Sequence, residues 1–486
     1  MRHFNGWARW AIRLASFPLL AGCAAETSSL RWNQKPAVNS PVASAVSPDR
    51  AATSEDVPIL QVVAEAIEEP AKPITANELF AADKVLTPSR LVALVVERNP
   101  TLDQLRATAA AVQARYPQVV SLDDPMLSFV TAPGSAGSNE SSYASRTEIS
   151  QKFPFPGKRG LRGEVVLAEA SAAGRDVDDM RLQLIESVLT SYADYFLSER
   201  AVAVNEDNLK ILQGFRKNAE TRYKNLQAPQ QDMLQADVEI GRQQERTYAL
   251  QRAGRVAKAR LNTLMHLPPD SPLPPPEPKV PTIETPAATE LRARAIASRP
   301  DLKALAHRLA GEEASVALAL REYKPDVELL GAYDRFWQGM EGPPLRWQIG
   351  AKINLPVRLA RRDAAVAEAQ SRVVQRRAEL TRLIDQVNLQ VQEAHELLGE
   401  SEKVVHLYEK TLMPAAEANI KEAQVSYVNG RIPFVTLIEA QRSLITLKDR
   451  YNEAVAETVR RRAALERAVG DSPLAASRSL APSGDR

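Results

Sequence analysis

The side chains able to do chemistry are few, and their spacing excludes most of it. Cys23 is the single cysteine, so an internal disulfide and any CxxC metal or redox centre are ruled out. The five histidines are His3, His266, His307, His395 and His406. His395 and His406 share a face of one predicted helix but stand too far apart to bind one ion. Gly157-Lys158-Arg159 has the outline of a phosphate loop, yet Lys152 occupies the place of the first glycine and no Ser or Thr follows. There is no HExxH, no GxSxG and no carboxylate pair in a predicted cleft. No catalytic site, cofactor or metal is expected.

The bulk numbers narrow the partners. Sixty-two basic residues stand against 60 acidic ones, which offers nucleic acid nothing to recognise. Ala, Leu, Arg and Glu are abundant while aromatics make up only 5%, a composition that favours long helices. No uninterrupted apolar run reaches the roughly 18 residues of a spanning helix. A membrane crossing would therefore have to be a closed barrel, because lipid cannot satisfy an open sheet edge.

Cys23 gains meaning from its position. Arg2, Arg9 and Arg13 form a basic start, residues 14–20 are apolar, and Leu20-Ala21-Gly22-Cys23 follows, the order of an export signal. That tetrapeptide resembles the bacterial lipobox. The resemblance implies cleavage before Cys23, acylation (a palmitate-type lipid anchor) at the new terminus and, since Ala24 is not aspartate, sorting to the outer membrane.

These motifs divide the chain into a signal peptide at 1–22, an Ala/Pro/Ser/Glu-rich tether at 23–86 and a first long segment at 87–267. A proline-dense linker at 268–286, a second long segment at 287–470 and a Ser/Pro-rich tail at 471–486 complete it. The two long segments are copies of each other. Pro100, Leu102, Leu105 and Ala114 recur as Pro300, Leu302, Leu305 and Ala314, at an offset of 200. Tyr223, Asn225, Pro229 and Ala236 recur as Tyr427, Asn429, Pro433 and Ala440, at an offset of 204. Each copy reads helix, strand, strand, very long helix, break, long helix.

The strands are expected at 126–130, 147–153, 326–333 and 346–355. In the last, Trp347, Ile349, Ala351, Ile353 and Leu355 alternate with Arg346, Gln348, Gly350, Lys352 and Asn354, giving an apolar face and a wet one. Leu380, Ile384, Val387, Val391, Ala394, Leu398, Val405, Tyr408 and Leu412 occupy a and d positions of one heptad frame, with Ser401 the polar exception. The helical pattern runs over 363–429, interrupted mainly at Pro414, which at 1.5 Å per residue is about 100 Å. Four strands cannot close a membrane barrel, since known ones start at about eight. The chain must share its barrel, and three copies would supply twelve strands.

Three stretches resemble TolC-family outer membrane factors: Gln151-Lys152-Phe153-Pro154-Phe155-Pro156-Gly157-Lys158-Arg159, Leu412-Met413-Pro414-Ala415-Ala416-Glu417-Ala418, and Tyr427-Val428-Asn429-Gly430 through Leu437-Ile438-Glu439-Ala440. The first two are most similar to the heavy-metal-efflux branch, and the likeness covers about residues 87 to 470. It implies an α+β fold of two tandem repeats, each two strands and a long helical hairpin. It also implies a homotrimer with a shared 12-stranded β-barrel and a long α-helical coiled-coil barrel. The expected role is a passive exit duct of a tripartite efflux pump, set in outer-membrane lipid and reaching through the periplasm. Its partners would be a periplasmic adaptor and an inner-membrane RND-type transporter, its cargo small solutes, metal cations among them.

The same resemblance places the constriction where the long helices turn, at 223–236 and 427–440. Asp232 falls where the family uses an aspartate to hold the closed tip, Tyr427 where its tyrosine partner lies, and Arg431 one residue from the family's basic partner. Glu439 falls on one of two acidic pore positions; the other is Thr436 here. Two other classes stay open at this point: a periplasmic coiled-coil adaptor or scaffold lipoprotein, and a protein-secretion duct of the same fold. The adaptor would need a lipoyl-like β-domain beside one hairpin, where this sequence repeats strands and hairpins twice.

Overall fold

The computed structural model describes residues 79–80, 84–132, 145–277, 286–335 and 346–471, all within one unit, Lys72–Arg486. Cys23, the export signal, most of the tether and the tail lie outside the described residues. The first repeat contains α1 (Pro88–Arg98), α2 (Pro100–Gln113), α3 (Arg115–Val120), β1 (Met126–Thr131), β2 (Ser145–Phe153), α4 (Lys158–Lys224) and α5 (Gln230–Leu264). The second contains α6 (Ala288–Ser298), α7 (Pro300–Arg321), β3 (Val327–Arg335), β4 (Trp347–Ile353), α8 (Leu359–Leu407), α9 (Met413–Val428) and α10 (Phe434–Val469). The two element orders match, apart from short α3 and the division of the second copy's long helix into α8 and α9, where the first copy has the continuous α4.

Proline starts the second helix of both copies, α2 and α7, and also α1, whereas α6 begins at Ala288. Pro88, Pro100 and Pro300 each sit in a first turn, where the missing N–H costs nothing. Thr87 and Asn99 cap α1 and α2 through their side chains, Thr87 accepting from Arg90 N at 3.3 Å and Asn99 from Thr101 N at 3.0 Å. Asn99 also reaches the far end of its own repeat, donating to Leu264 O at 3.0 Å in the last turn of α5. The second copy repeats the contact with other residues. Ser298 donates to Val469 O at 2.7 Å and Arg299 to Ala468 O at 3.3 Å, at the end of α10. Carbonyls that a helix end leaves without partners are thus taken up by the start of the same repeat.

The strands form one antiparallel sheet in the order β1-β2-β3-β4, with β1 and β4 as edges. Register puts Leu127, Ile149, Gly331 and Ile349 in one row, and Phe129, Thr147, Tyr333 and Trp347 in the next. That face is apolar and uncovered: Ile349 is 95% and Trp347 75% exposed, and the Trp347 and Tyr333 rings lie 4.9 Å apart. The opposite face is polar and internally paired. Arg146 makes two 2.8 Å bonds to Asp334, and Lys352 lies 3.5 Å from Glu148 and 3.7 Å from Glu328. β3 reaches Arg335 and is longer than the stretch expected from sequence, since it is paired on both sides; β4 stops at Ile353, short of Leu355, because an edge lacks one neighbour.

Below the sheet the chain is helical for most of its length. α4 alone has 67 residues, about 100 Å at 1.5 Å per residue. Of the expected heptad seam, Val387, Val391, Ala394, Leu398 and Ser401 are buried, the apolar ones among Leu291 and Ala295 of α6 and Leu465, Ala468 and Val469 of α10. Val405, Tyr408 and Leu412 are only half-covered. At Pro414 the helix does not break into a loop. A π-helical turn, Tyr408–Leu412, precedes it and accommodates the missing N–H and the ring.

The proline-dense linker is less free than its composition suggests. Leu86 and Pro276 form a parallel bridge, with Leu86 N donating to Pro275 O at 2.8 Å. Tyr195 of α4 donates to Pro274 O at 3.0 Å, and Glu277 N donates to the Tyr192 hydroxyl at 3.0 Å. Phe80 and Leu86, from the end of the tether, are buried in the same core as Leu189, Tyr192 and Leu261. The last residues before Thr87 therefore belong to the folded body.

Candidate functional site at the helical tips

The α4–α5 and α9–α10 hairpins turn at equivalent places, over 225–229 and 429–433. Each turn closes with the same two backbone bonds. Leu226 N donates to Tyr223 O (3.0 Å) and Gln227 N to Arg222 O (2.8 Å); Gly430 N donates to Tyr427 O (2.9 Å) and Arg431 N to Ser426 O (2.8 Å). Such a turn needs a left-handed residue, and it falls on Leu226 (φ 57°) in the first copy and Gly430 (φ 71°) in the second. Pro229 and Pro433 then start the returning helices.

The two hairpins share one apolar cluster. Leu212, Phe215, Ala219 and Ala236 of the first pack with Ile420, Ala423, Tyr427, Phe434, Leu437 and Ile438 of the second. Tyr427 is its polar element, only 2% exposed, with its ring 5.3 Å from that of Phe434. Its hydroxyl donates to Asp232 Oδ2 at 3.0 Å. Burial, with the Asp232 carboxylate beside it, pushes the Tyr427 hydroxyl up to about 12, so it stays a proton donor at neutral pH. Asp232 and Tyr427, paired by resemblance from the sequence, are in direct contact.

Arg431 is not brought to this pair. It is exposed, and its side chain has no hydrogen-bond or ion-pair partner among the described residues. The cation on Tyr427 is Arg222, which stacks 4.6 Å over the ring and donates to the Tyr427 carbonyl. Glu439 is exposed on α10, its charge felt by Arg442, and Thr436 is exposed one turn nearer the tip.

Farther from the turns, charged side chains bridge α5 and α10 directly. Glu239 is 5% exposed and accepts from Arg442, at 3.1 Å through Nε, and from Arg242 at 2.8 Å. Those hydrogen bonds, that of Arg442 foremost, hold its carboxyl below the usual glutamate range. Seven residues on along both helices, Arg246 bonds Asp449 at 2.5 Å with the signs reversed. A groove of about 320 Å³, lined by Leu234, Val238, Val435 and Ile438, lies beside the Glu239 bridge. Sequence reading missed this ladder, although two opposite-charge pairs at a common offset of 203 were its available signal. Among the described residues no group of His, Cys, Asp and Glu could hold a metal ion, and no helix is long and apolar enough to cross a membrane.

A sheet with a bare apolar face and an ion-paired polar face, standing on two long hairpins latched at their tips, defines the fold of TolC-like outer membrane factors. Residues 291–471, within the second repeat, match the outer membrane efflux protein family. It is similar to the outer-membrane channel OprN (TM-score 0.67, 20% identity, covering 81% of this chain and 92% of that one). It is also similar to CusC, described for its transmembrane channel formation (TM-score 0.65, 15% identity, 84% and 96% covered). Among curated relatives, nodulation protein T of Rhizobium leguminosarum bv. trifolii is 23% identical over 314 residues, 62% of this chain and 66% of that protein. The match thus spans just under two thirds of that relative's length.

Proposed function

We propose that the protein is the outer-membrane channel of a tripartite efflux pump, a passive duct that trimerises to close a shared barrel. The observation that carries this reading is the sheet. Among the described residues its two edges lack partners, its apolar face is uncovered, and its polar face pairs its own charges. Lipid tolerates strands only in a closed barrel with apolar side chains outward and a wet interior. Four strands per copy are too few, and three copies reach twelve. In this reading the helical hairpins line a periplasmic tube that meets an adaptor and an inner-membrane RND-type transporter. Cys23 carries the lipid anchor in the outer membrane.

The tip contacts are the gate. Asp232 and Tyr427 tie one hairpin to the other, and Glu439 contributes carboxylates to the pore near the axis, where crowding of like charge favours cations. The cargo would be chosen upstream, by the transporter; the resemblance of residues 151–159 and 412–418 to the heavy-metal-efflux branch is the reason to test metal cations among small solutes.

The deciding experiment is the size and heat-modifiability of the detergent-extracted protein. An outer-membrane species near three 53.4 kDa chains, resisting unheated SDS, supports the shared barrel. A monomer released without detergent overturns it. Given the trimer, Asp232→Ala and Glu439→Ala are expected to raise single-channel conductance in planar bilayers; unchanged conductance removes both from the gate.

A further inference from the structure

We infer that Arg222 is the residue that positions Tyr427 in the closed tip, taking the part that the basic residue of the second turn would otherwise play. The inference rests on the gate reading above and deepens it. Arg222 ends α4, just before the first turn, and reaches across to the second. It donates to the Tyr427 carbonyl, lies 4.6 Å over the Tyr427 ring, and donates to Gln227 O of its own turn at 3.4 Å. One guanidinium therefore joins both turns while covering the face of the ring. A planar cation suits this task, since its face stacks on an aromatic while its edge donates in several directions. Asp232 takes the hydroxyl at the other end of the same side chain. The first hairpin thus holds Tyr427 at carbonyl, ring face and hydroxyl, while Gly430 N and the Phe434 ring support it from its own hairpin.

The repeat sharpens the assignment. At the offset of 204, Arg222 corresponds to Ser426, which bonds Glu422 of its own helix at 3.1 Å, and Asp232 corresponds to exposed Thr436. Tyr223, the counterpart of Tyr427, is 42% exposed. Each chain therefore has one such clasp, not two. Arg431, the cation nearest to the resemblance, is exposed and without a partner among the described residues. Opening the tip must part the two hairpins, which breaks all three contacts on Tyr427. Arg222 acts by fixing the ring where its hydroxyl meets Asp232.

The test is planar-bilayer conductance of the full-length protein and its variants Arg222→Gln, Arg222→Lys, Arg431→Gln and Asp232→Ala. Arg222→Gln is expected to raise conductance several-fold, to the level of Asp232→Ala, and the double variant to go no higher than either alone. Arg222→Lys keeps the charge and three donors on a single nitrogen but loses the planar fork, and is expected to fall between wild type and Arg222→Gln. If Asp232→Ala opens the channel while Arg222→Gln conducts like wild type, the assignment of Arg222 is overturned and the gate reading stands. If Arg431→Gln opens it and Arg222→Gln does not, the clasp belongs to Arg431. If neither Asp232→Ala nor Arg222→Gln changes conductance, the gate reading itself falls and takes the inference with it. Should Arg222→Gln fail to assemble as an SDS-resistant oligomer, Arg222→Lys carries the comparison, and wild-type conductance there overturns the assignment.

Discussion

The two repeats share their backbone plan but divide their labour differently. In the second, glycine supplies both left-handed residues, Gly430 at the tip and Gly470 at the end of α10. In the first, the equivalent positions are Leu226 (φ 57°) and His266 (φ 56°). The first copy therefore carries strain that the second does not, on the order of 1–2 kcal/mol per residue. It also supplies the polar groups that act at the tip, Arg222 and Asp232, whereas the second supplies Tyr427, the residue being held. The duplicated halves thus act as holder and held.

The comparison can be broken most forcefully at Gly470. A side chain there would place its Cβ 2.8 Å from the Cα and 2.7 Å from the Cγ of Arg299, in a conformation already unfavourable to L-residues. Gly470→Ala is expected to destabilise by about 2–3 kcal/mol, seen as a fall in the thermal unfolding midpoint. No fall would mean that the end of α10 is not held against Arg299. A smaller effect is expected at the tip. Tyr427→Phe keeps the ring and the Arg222 stack but strips Asp232 of its donor, a loss of about 1 kcal/mol, read from the denaturant midpoint. Leu226→Gly, at the strained position of the first turn, is expected to stabilise by up to about 1 kcal/mol, because glycine relieves the left-handed strain against a small entropic cost. No stabilisation at Leu226, together with none of the loss at Gly470, would dissolve the contrast between the repeats.

The smallest expected response is to pH. The raised Tyr427 hydroxyl keeps its proton in the fold where the unfolded chain releases it at about 10. Its contribution is complete below that pH and is lost as pH rises towards about 12. The lowered Glu239 carboxyl works in the opposite sense: its contribution is complete above the ordinary glutamate range and is lost as pH falls through the folded value. Between pH 6 and 9 neither changes, so conductance is expected to stay flat there. A step inside that window would show that other groups titrate at the gate.

Much of the architecture can be read from one sequence because it is periodic. The alternation around Ile349 located β4 and the offsets of 200 and 204 located the repeat, while the turns within 223–236 and 427–440 were placed by the family resemblance. What escaped was lateral. Arg222 reaches Tyr427 across two helices, and nothing in the spacing of either helix reveals that reach. Glu239 lies on a surface that the pattern marks as solvated, and it becomes buried only because α10 brings Arg442 over it. The proline-dense segment reads as a spacer, since the tyrosines that fasten it, Tyr192 and Tyr195, are far away in sequence on α4.

The contacts of Asn99 with Leu264 O and of Ser298 with Val469 O make each repeat a ring whose first helices cap its last. A duplication that copied one such segment copied both ends of its closure together. Each half thus finishes its own helices, and the contacts between the halves, from the β2–β3 pairing to the clasp on Tyr427, form a separate layer.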